Sequence, residues 1–176
     1  YRPEFDLKDL MHETADLLHS CLYHRFDEIR PMILSYKHSF QDRLDINPLQ
    51  ANLKQLKDTA RRVGLTLDLG DDRLAYLALL FSHFVEPSLG FDTPLFLTDV
   101  PPEMASLAKV RIDDDGEQVA ARFEVYIEGL ELANAYDELL DAQTLRQRFE
   151  ADNLERKQQG LAEMPLDEHL LAALPH

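Results

Sequence analysis

The sequence predicts an α+β fold in which part of an antiparallel sheet carries flanking helices and a helical insertion. Three patterns support this fold class. Apolar residues recur at helical spacing through much of the first 90 positions, strand patterns follow between about 94 and 138, and a last helical pattern begins at 141. With 176 residues, of which 45% are hydrophobic and 29% charged, the chain can build one domain with a substantial core.

The first helix is predicted to begin after Asp6, because an aspartate carboxylate readily accepts N–H bonds at an N-cap. The helix should extend to about Tyr23 along one stripe of buried positions. Cys21 lies on this stripe and is expected to be a small core residue. The stripe consists of Leu7, Leu10, Met11, Thr14, Leu17, Leu18, Cys21 and Leu22.

Residues 27–92 are predicted to form a helical insertion made of short pieces. Proline, glycine and Asn-Pro interrupt the helical pattern, and such residues mark turns and helix ends. The candidate helices are Tyr36–Leu44, Asn52–Val63 and Asp72–Val85.

The second half of the chain is expected to supply the sheet. Candidate strands are Pro94–Pro101 and Ser106–Ile112, and a hairpin follows over residues 119–138. The acidic run Asp113–Glu117 lacks the other ligands of a calcium loop, which favours a solvated turn over a calcium site. A last helix should run from Asp141 to about Gln159, with Gly160 as its C-cap.

Charge and cysteine content narrow the functional classes. The formal net charge of −15 makes general binding to nucleic-acid phosphates unfavourable. No apolar run approaches the roughly 20 residues that span a bilayer, so no membrane association is expected. Because Cys21 is the one cysteine, no intramolecular disulfide can form, which fits a cytoplasmic location.

The hairpin places two carboxylates near each other. With a two-residue turn at Glu128-Gly129, Tyr126 should pair with Glu131 and Glu124 with Ala133. Glu124 and Glu131 then lie diagonally on one face, about 7–8 Å apart at the backbone. Mg²⁺ typically takes one or two protein carboxylates and completes its shell with phosphate and water oxygens. The geometry therefore suggests a metal–nucleotide site on a sheet.

Two points stay open from the residues alone. The strand pair can equally be a solvent-facing surface with two ordinary glutamates that bind nothing. Simple alternation also places Asn134 on the apolar face, which requires either a β-bulge or a buried structural amide.

The segment RFEVYIEGLELANAYDEL, which begins at Arg122, resembles a segment of class II lysyl-tRNA synthetases and of their paralogues, the elongation factor P lysine ligases. In that family it is typically R-F-E, a short turn and E-[IL]-A-N-G-F-x-E-L. The resemblance extends over the whole chain. It includes YRPEFDLKDLMHETADLL, INPL, VEPSLG, ASLAK, RFEADNLERKQQGL and MPLDEHLLAAL.

The resemblance implies a fragment of one class II aminoacyl-tRNA synthetase-like catalytic domain over residues 1–176. Residues 1–26 would be the helix after motif 2, and residues 27–92 the helical insertion. Residues 93–140 would contain the sheet strands with the active-site hairpin. Residues 141–176 would be the helix and loop before motif 3.

The family chemistry implied by the resemblance is activation of a lysine-type amino acid with ATP and Mg²⁺ as an adenylate. The ligases transfer (R)-β-lysine to a lysine of elongation factor P, whereas the synthetases transfer lysine to tRNA. The synthetases usually carry an acidic G-D-x-E-A stretch where this chain has GLAEMPLDEHL. Elongation factor P and lysine or (R)-β-lysine are therefore the expected partners, tRNA is not, and a homodimer is expected for the full-length protein.

The resemblance also assigns expected site residues. ATP would contact Glu124 and the Val125 backbone, and the metal would be held by Glu124 and Glu131. The lysine-type substrate would contact five positions. They are Tyr1, Glu131, Asn134, Tyr136 and Glu138.

The chain departs from the family pattern in two positions and in extent. Ala135 stands where the family has glycine, and Tyr136 where phenylalanine is usual. Motif 1, the body of motif 2 and motif 3 are not in this sequence, which starts at Tyr1. The chain by itself is therefore expected not to catalyse adenylation, and its cut sheet to self-associate or expose an apolar patch. A fragment of a lysyl-tRNA synthetase and a non-catalytic remnant remain the alternative interpretations.

Overall fold

The computed structural model describes residues 1–25 and 29–174. The chain divides into two compact units, Tyr1–Asp137 and Glu138–His176. The first unit holds the sheet and the helical insertion, and the second consists of helices and a loop. The predicted α+β fold class is confirmed. The predicted boundary at residue 26 and the chain end at 175–176 lie outside the described residues.

A five-stranded sheet organises the first unit, with β4 at its centre. Because Val125 of β4 pairs with Phe96 on one side and Ala133 on the other, β2 and β5 lie on opposite edges of β4. These pairs are antiparallel, as is β3 with β4, whereas β1 runs parallel to β2. The strands are β1 (Met32–Ser35), β2 (Leu95–Val100), β3 (Val110–Ile112), β4 (Gln118–Ile127) and β5 (Leu130–Tyr136).

Helix α1 (Leu7–Leu22) covers one face of the sheet. Asp6 caps it as predicted, since the Asp6 carboxylate accepts the Asp9 N–H at 2.9 Å. Met11 and Ala15 are buried in one cluster with Phe96, Phe123 and Val125 of the sheet. The apolar stripe of α1 thus becomes half of a helix-on-sheet core.

The prediction that Cys21 is a core residue is wrong, because its side chain is exposed. The part of α1 that packs on the sheet follows Met11, Ala15, Leu18 and Leu22. Cys21 is one residue before Leu22, which is about 100° around the helix. It therefore faces away from the contact.

Three short helices cover the other face of the sheet. They are α2 (Tyr36–Leu44), α3 (Leu53–Arg62) and α4 (Arg73–Leu80), and α4 continues as a π-helical turn, Phe81–Val85. Phe40, Leu56 and Leu77 belong to one buried cluster with Leu97 and Tyr126 of the sheet. The predicted helices Tyr36–Leu44 and Asn52–Val63 are confirmed within one residue at each end. The predicted helix Asp72–Val85 corresponds to α4 together with the π-helical turn that follows it.

Strand β1 was not predicted, since residues 27–92 were expected to be helical. Its four residues pair with β2 in the register Met32–Leu95 to Ser35–Thr98. A strand this short carries too few residues to show an alternating pattern. Its conformation depends on pairing with a strand that lies far along the chain.

The end of the insertion is pinned to the tip of the β4–β5 hairpin. The Glu128 N–H donates to the Gly90 carbonyl at 2.9 Å, and the Gly129 N–H donates to the Leu89 carbonyl at 2.8 Å. These bonds fix where the segment Glu86–Ser88, a single 3₁₀ turn, lies relative to the hairpin. They therefore hold the end of the insertion next to the β4–β5 hairpin.

The second unit contains α5 (Ala142–Gln158) and α6 (Glu168–Ala173). Asp141 caps α5 as predicted, and Gly160 ends it with a φ of 72°. Asn153 secures the following loop, because its amide exchanges two 2.8 Å hydrogen bonds with the Met164 backbone. Helix α6 was not predicted.

Across residues 1–25 and 29–174, no helix combines the length and apolar character that a bilayer crossing requires.

Candidate functional site

Polar and aromatic side chains gather on one face of the β4–β5 hairpin, the face that also carries the α2–α4 helices. In β4, Arg122, Glu124 and Tyr126 alternate onto this face. The register of β5 then brings three further residues to the same face. Tyr136 pairs with Arg122, Asn134 with Glu124, and Glu131 with Tyr126. We call these six residues the hairpin site.

A β-bulge sets the composition of the hairpin site. Tyr126 pairs with Glu131 as predicted, but Val125 pairs with Ala133, so Leu132 is an extra residue in β5. The predicted pairing of Glu124 with Ala133 is therefore wrong by one residue, and Asn134 takes that place. Of the two explanations for Asn134, the bulge is confirmed. It rotates Asn134 and Tyr136 onto the face of Glu131.

Glu124 is the buried centre of the site, with 8% of its surface exposed. Its Oε1 accepts a hydrogen bond from Arg122 Nη2, and its Oε2 accepts one from the Tyr126 hydroxyl at 2.8 Å. A buried carboxylate needs such partners, because an unpaired charge in a protein interior is costly. The hydrogen bonds from Arg122 and Tyr126 thus fix the orientation of the Glu124 carboxylate on this face of the sheet.

Arg122 connects Glu124 to Tyr136, which is one of the residues predicted to contact the substrate. Its Nη1 donates to the Met104 carbonyl at 3.1 Å, and its guanidinium lies 5.1 Å from the centre of the Tyr136 ring. Arg122 is itself 9% exposed. Its Nε has no hydrogen-bond partner among the described residues.

Glu131 and Asn134 form the solvent-accessible part of the hairpin site. Both are exposed, and Asn134 Nδ2 donates to Glu131 Oε1 at 3.3 Å. Glu131 pairs with Tyr126 and Asn134 with Glu124, so Glu124 and Glu131 are diagonal neighbours on one face. Burial raises the pKa of the Glu124 carboxyl, and the negative charge of Glu131 adds to this effect. The predicted proximity of the two carboxylates is therefore present.

Glu86 is a third carboxylate at the site, and sequence reasoning missed it. It is half-buried, and burial followed by the charge of Glu131 raises its pKa. Its charge in turn raises the pKa of Glu124 and of the Tyr126 hydroxyl. The sequence gives no local sign of this role, because only the docking of the Glu86–Ser88 turn on the hairpin tip brings Glu86 there.

Three predicted site residues, Val125, Tyr1 and Glu138, are not among the six side chains of the hairpin site. The Val125 side chain is buried against α1, on the opposite face from Glu124, so only its backbone adjoins the site. The Tyr1 side chain is fully exposed. Glu138 belongs to the second unit. The predicted substrate contacts of Tyr1 and Glu138 stay predictions.

The two departures from the family pattern have different consequences. Ala135 has no positive φ and packs on the α1 side, so it does not line the hairpin site. Tyr136 does line the site, where its ring faces the Arg122 guanidinium. The replacement of glycine by alanine is therefore compatible with the observed strand.

The donor set of the hairpin site fits a divalent cation. Glu124, Glu131 and Glu86 carry three negative charges around Arg122, which bonds to Glu124. Their carboxylate oxygens do not all lie within 4.8 Å of one another, so an ion there would take one or two of them and complete its shell with phosphate and water oxygens. A carboxylate offers about four lone-pair directions, so Glu124 keeps capacity beside its two hydrogen bonds. The excess negative charge would be relieved by a metal ion that also binds phosphate oxygens.

A second acidic cluster, Asp113, Asp115 and Glu117, lies in the turn between β3 and β4. Part of its negative charge is offset from within the chain, because Lys37 Nζ bonds both Asp115 and Glu117. The amides of Asn47 and Gln50 also donate to Glu117, at 3.0 and 2.6 Å. The predicted turn is confirmed, and its three carboxylates lie within 4.8 Å of one another.

Comparison with known proteins identifies the family of the chain. The family model described as tRNA synthetases class II (D, K and N) matches residues 4–176. An elongation factor P–(R)-β-lysine ligase of Edwardsiella ictaluri is 45% identical over 178 residues, which cover 100% of this chain and 53% of that protein. Ligases of the same name from Pectobacterium atrosepticum and Klebsiella pneumoniae are 44% and 45% identical over 177 residues.

These matches confirm the resemblance drawn from the hairpin sequence. The matches to the Pectobacterium atrosepticum and Klebsiella pneumoniae ligases each cover 99% of this chain and 52% of the ligase. The chain therefore spans about half the length of the curated relatives it matches.

Proposed function

Since this chain belongs to the family of class II tRNA synthetases of the D, K and N group, we propose that the full-length protein is an ATP-dependent lysine ligase that modifies elongation factor P. The observation that carries the proposal is the hairpin site. Carboxylates, an amide and an aromatic ring converge there, in a chain 45% identical to a protein named for that reaction.

The proposed reaction has two steps. A carboxylate oxygen of the amino acid bonds to the α-phosphorus of ATP, the bond to pyrophosphate breaks, and an acyl adenylate forms. The amine of a lysine side chain on elongation factor P then bonds to the acyl carbon, AMP leaves, and the amine loses a proton. Both steps need aligned reactants and neutralised phosphate charge.

We propose that Glu124 and Glu131 hold Mg²⁺ against the nucleotide. The bound ion would neutralise phosphate charge and orient the leaving group. Arg122 and Tyr126 prepare Glu124 for this task, since their hydrogen bonds already fix its carboxylate. The Val125 backbone would lie beside the nucleotide.

We propose that the amino acid occupies the exposed end of the same face. Asn134 and Tyr136 would contact it there, next to Glu131. The substrate is cationic, and carboxylates are its natural partners. Glu138 would pair with its side-chain ammonium, and Tyr1 would complete the pocket.

Charging of tRNA with lysine is the second candidate, because the matched family model includes synthetases of that group. The sequence between α5 and α6 favours the ligase. It is GLAEMPLDEHL here and does not match the acidic G-D-x-E-A stretch. The curated relatives over the whole chain also bear the ligase name.

The test uses the full-length gene product with ATP, Mg²⁺ and either lysine or (R)-β-lysine. Elongation factor P is present in one reaction and tRNA in another, and the mass of each acceptor is measured. A mass gain on elongation factor P supports the proposal, whereas charging of tRNA alone supports the synthetase. If neither acceptor is modified and no ATP–pyrophosphate exchange occurs, the interpretation of the protein as a non-catalytic remnant is supported.

A further inference from the structure

We propose that Arg122 is a positioning residue that joins the two halves of the hairpin site, holding the Glu124 carboxylate with one edge and the Tyr136 ring with its face. This inference rests on the proposed function, in which Glu124 serves the nucleotide and Tyr136 the amino acid. It gives Arg122 a role that neither its sequence context nor the family resemblance assigned. Arg122 itself touches neither reacting atom.

The β4–β5 register makes this coupling possible. Arg122 is two residues from Glu124 along β4, so both side chains leave the same face of the strand. It is also directly opposite Tyr136 across the ladder. Directly opposed residues have their Cβ atoms about 4.5–5.5 Å apart, close enough for a guanidinium to lie on a ring. One side chain can therefore contact both neighbours.

The contacts of Arg122 use nearly every part of the guanidinium. Nη2 bonds to Glu124 Oε1, Nη1 donates to the Met104 carbonyl at 3.1 Å, and the face lies 5.1 Å from the Tyr136 ring centre. The bond to a backbone carbonyl ties the group to the 3₁₀ turn Pro102–Met104. Three directions are thus fixed from three different elements.

The buried Arg122 guanidinium leaves one of its donors without a partner among the described residues. Arg122 is 9% exposed, yet its Nε is left without a partner among the described residues. An unpaired buried N–H group is unfavourable. The side chain accepts that cost in a pose that satisfies Glu124, Met104 and Tyr136 together. The pose is therefore set by those contacts and not by full hydrogen bonding of Arg122.

Lysine cannot replace these functions together. Its ammonium supplies a charge for Glu124, but it has no planar face for Tyr136 and no rigid fork that reaches the Met104 carbonyl at the same time. Arg122→Lys therefore keeps the ion pair with Glu124 and removes the contact with the Tyr136 ring. It should preserve the nucleotide side and loosen the amino-acid side.

The experiment compares Arg122→Lys with Arg111→Lys in the full-length gene product. Arg111 is a suitable control, because it is a half-exposed arginine on β3 that pairs with Asp99 away from the site. We expect Arg122→Lys to raise the KM for lysine by about tenfold or more, with the KM for ATP within about threefold of wild type. Arg111→Lys should change neither value beyond about twofold.

Binding and stability measurements test the role of Arg122 without depending on catalytic turnover. Calorimetry with lysine alone should show the same loss of affinity in Arg122→Lys, and calorimetry with ATP and Mg²⁺ should not. Thermal unfolding reports whether the variant folds. If Arg122→Lys is unfolded, Arg122→Gln replaces it, because its amide can still donate to Glu124 and it likewise lacks the guanidinium face that lies on Tyr136.

A double-mutant cycle decides the mechanism. If Arg122 acts on the amino acid through Tyr136, the effects of Arg122→Lys and Tyr136→Leu on lysine affinity should not add. Additive effects, or equal losses for lysine and for ATP, would overturn the positioning role. Absence of pyrophosphate exchange in the wild type would instead contradict the proposed function, and the lysine-binding measurements would still test Arg122.

Discussion

Gly90 lies against the main-chain carbonyl of Tyr126 so closely that a Cβ atom at position 90 would stand 2.2 Å from the Tyr126 oxygen. This contact joins the end of the helical insertion to the strand that carries Glu124. The Gly90 carbonyl also accepts the Glu128 N–H at 2.9 Å. Gly90 therefore allows the close approach that places Glu86 beside the hairpin site.

Gly90→Ala is expected to destabilise the chain by roughly 2–4 kcal/mol, since the added methyl group would push the strand away and position 90 has a positive φ. Chemical denaturation monitored by circular dichroism measures the change. Gly70→Ala is the control. Position 70 also has a positive φ but no atom within 4 Å of the added Cβ, so a cost of about 1 kcal/mol is expected. Equal losses for the two variants would contradict the packing role of Gly90.

Glu124→Gln should lower ATP–pyrophosphate exchange in the full-length gene product by about a hundredfold or more, because the neutral amide cannot replace a metal-binding carboxylate. Exchange kinetics with lysine and ATP measure this effect. Glu128→Gln serves as the matched control. It lies on the same hairpin, and its exposed carboxylate pairs with Arg25 at the surface. An unaffected exchange rate in Glu124→Gln would favour the non-catalytic interpretation.

The lysine-centred cluster in the β3–β4 turn predicts how stability depends on pH. The hydrogen bond from Lys37 lowers the pKa of Glu117 and of Asp115 below their ordinary values. Their unfolded values are about 4.3 and 3.9, so the stabilisation is present above about pH 4.3 and is lost as the pH falls through the lowered folded values. The free energy of unfolding should therefore decrease as the pH falls below about 4.3.

Lys37→Met should flatten or reverse that decrease, because the carboxylates would then repel one another when ionised. Urea unfolding at a series of pH values measures the slope. Lys157→Met is the control, since Lys157 pairs with Glu163 only at 3.4 Å and the Lys157 side chain is 71% exposed. An unchanged slope in Lys37→Met would show that the cluster does not control acid sensitivity.

The isolated chain is expected to self-associate. Leu130 and Leu132 on β5 are 66% and 52% exposed, and Met32 and Ile33 on β1 are 48% and 53% exposed. Apolar residues on strands at the edges of a sheet are sites of association. Sedimentation velocity over a range of concentrations should show oligomers, and the double variant Leu130→Lys, Leu132→Lys should reduce them. A monomer at every concentration would contradict this prediction.

Local signals predicted most of the elements. Asp6 and Asp141 cap helices because their carboxylates bond to nearby N–H groups, whatever lies around them. The Glu128-Gly129 turn likewise depends on the two residues within it, both of which have a positive φ. The proximity of Glu124 and Glu131 followed from this turn and from strand alternation.

Contacts between distant segments decided the rest. The strand β1 and the exposure of Cys21 depend on how strands and helices pack, which no local pattern records. The local pattern left a bulge and a buried amide open for Asn134, and the strand register decided for the bulge at Leu132. The same holds for the site. Arg122 gains its place from the register across the ladder, and Glu86 from the docking of the insertion on the hairpin tip. The chain's local chemistry thus supplied the two carboxylates, and tertiary packing supplied the groups that surround them.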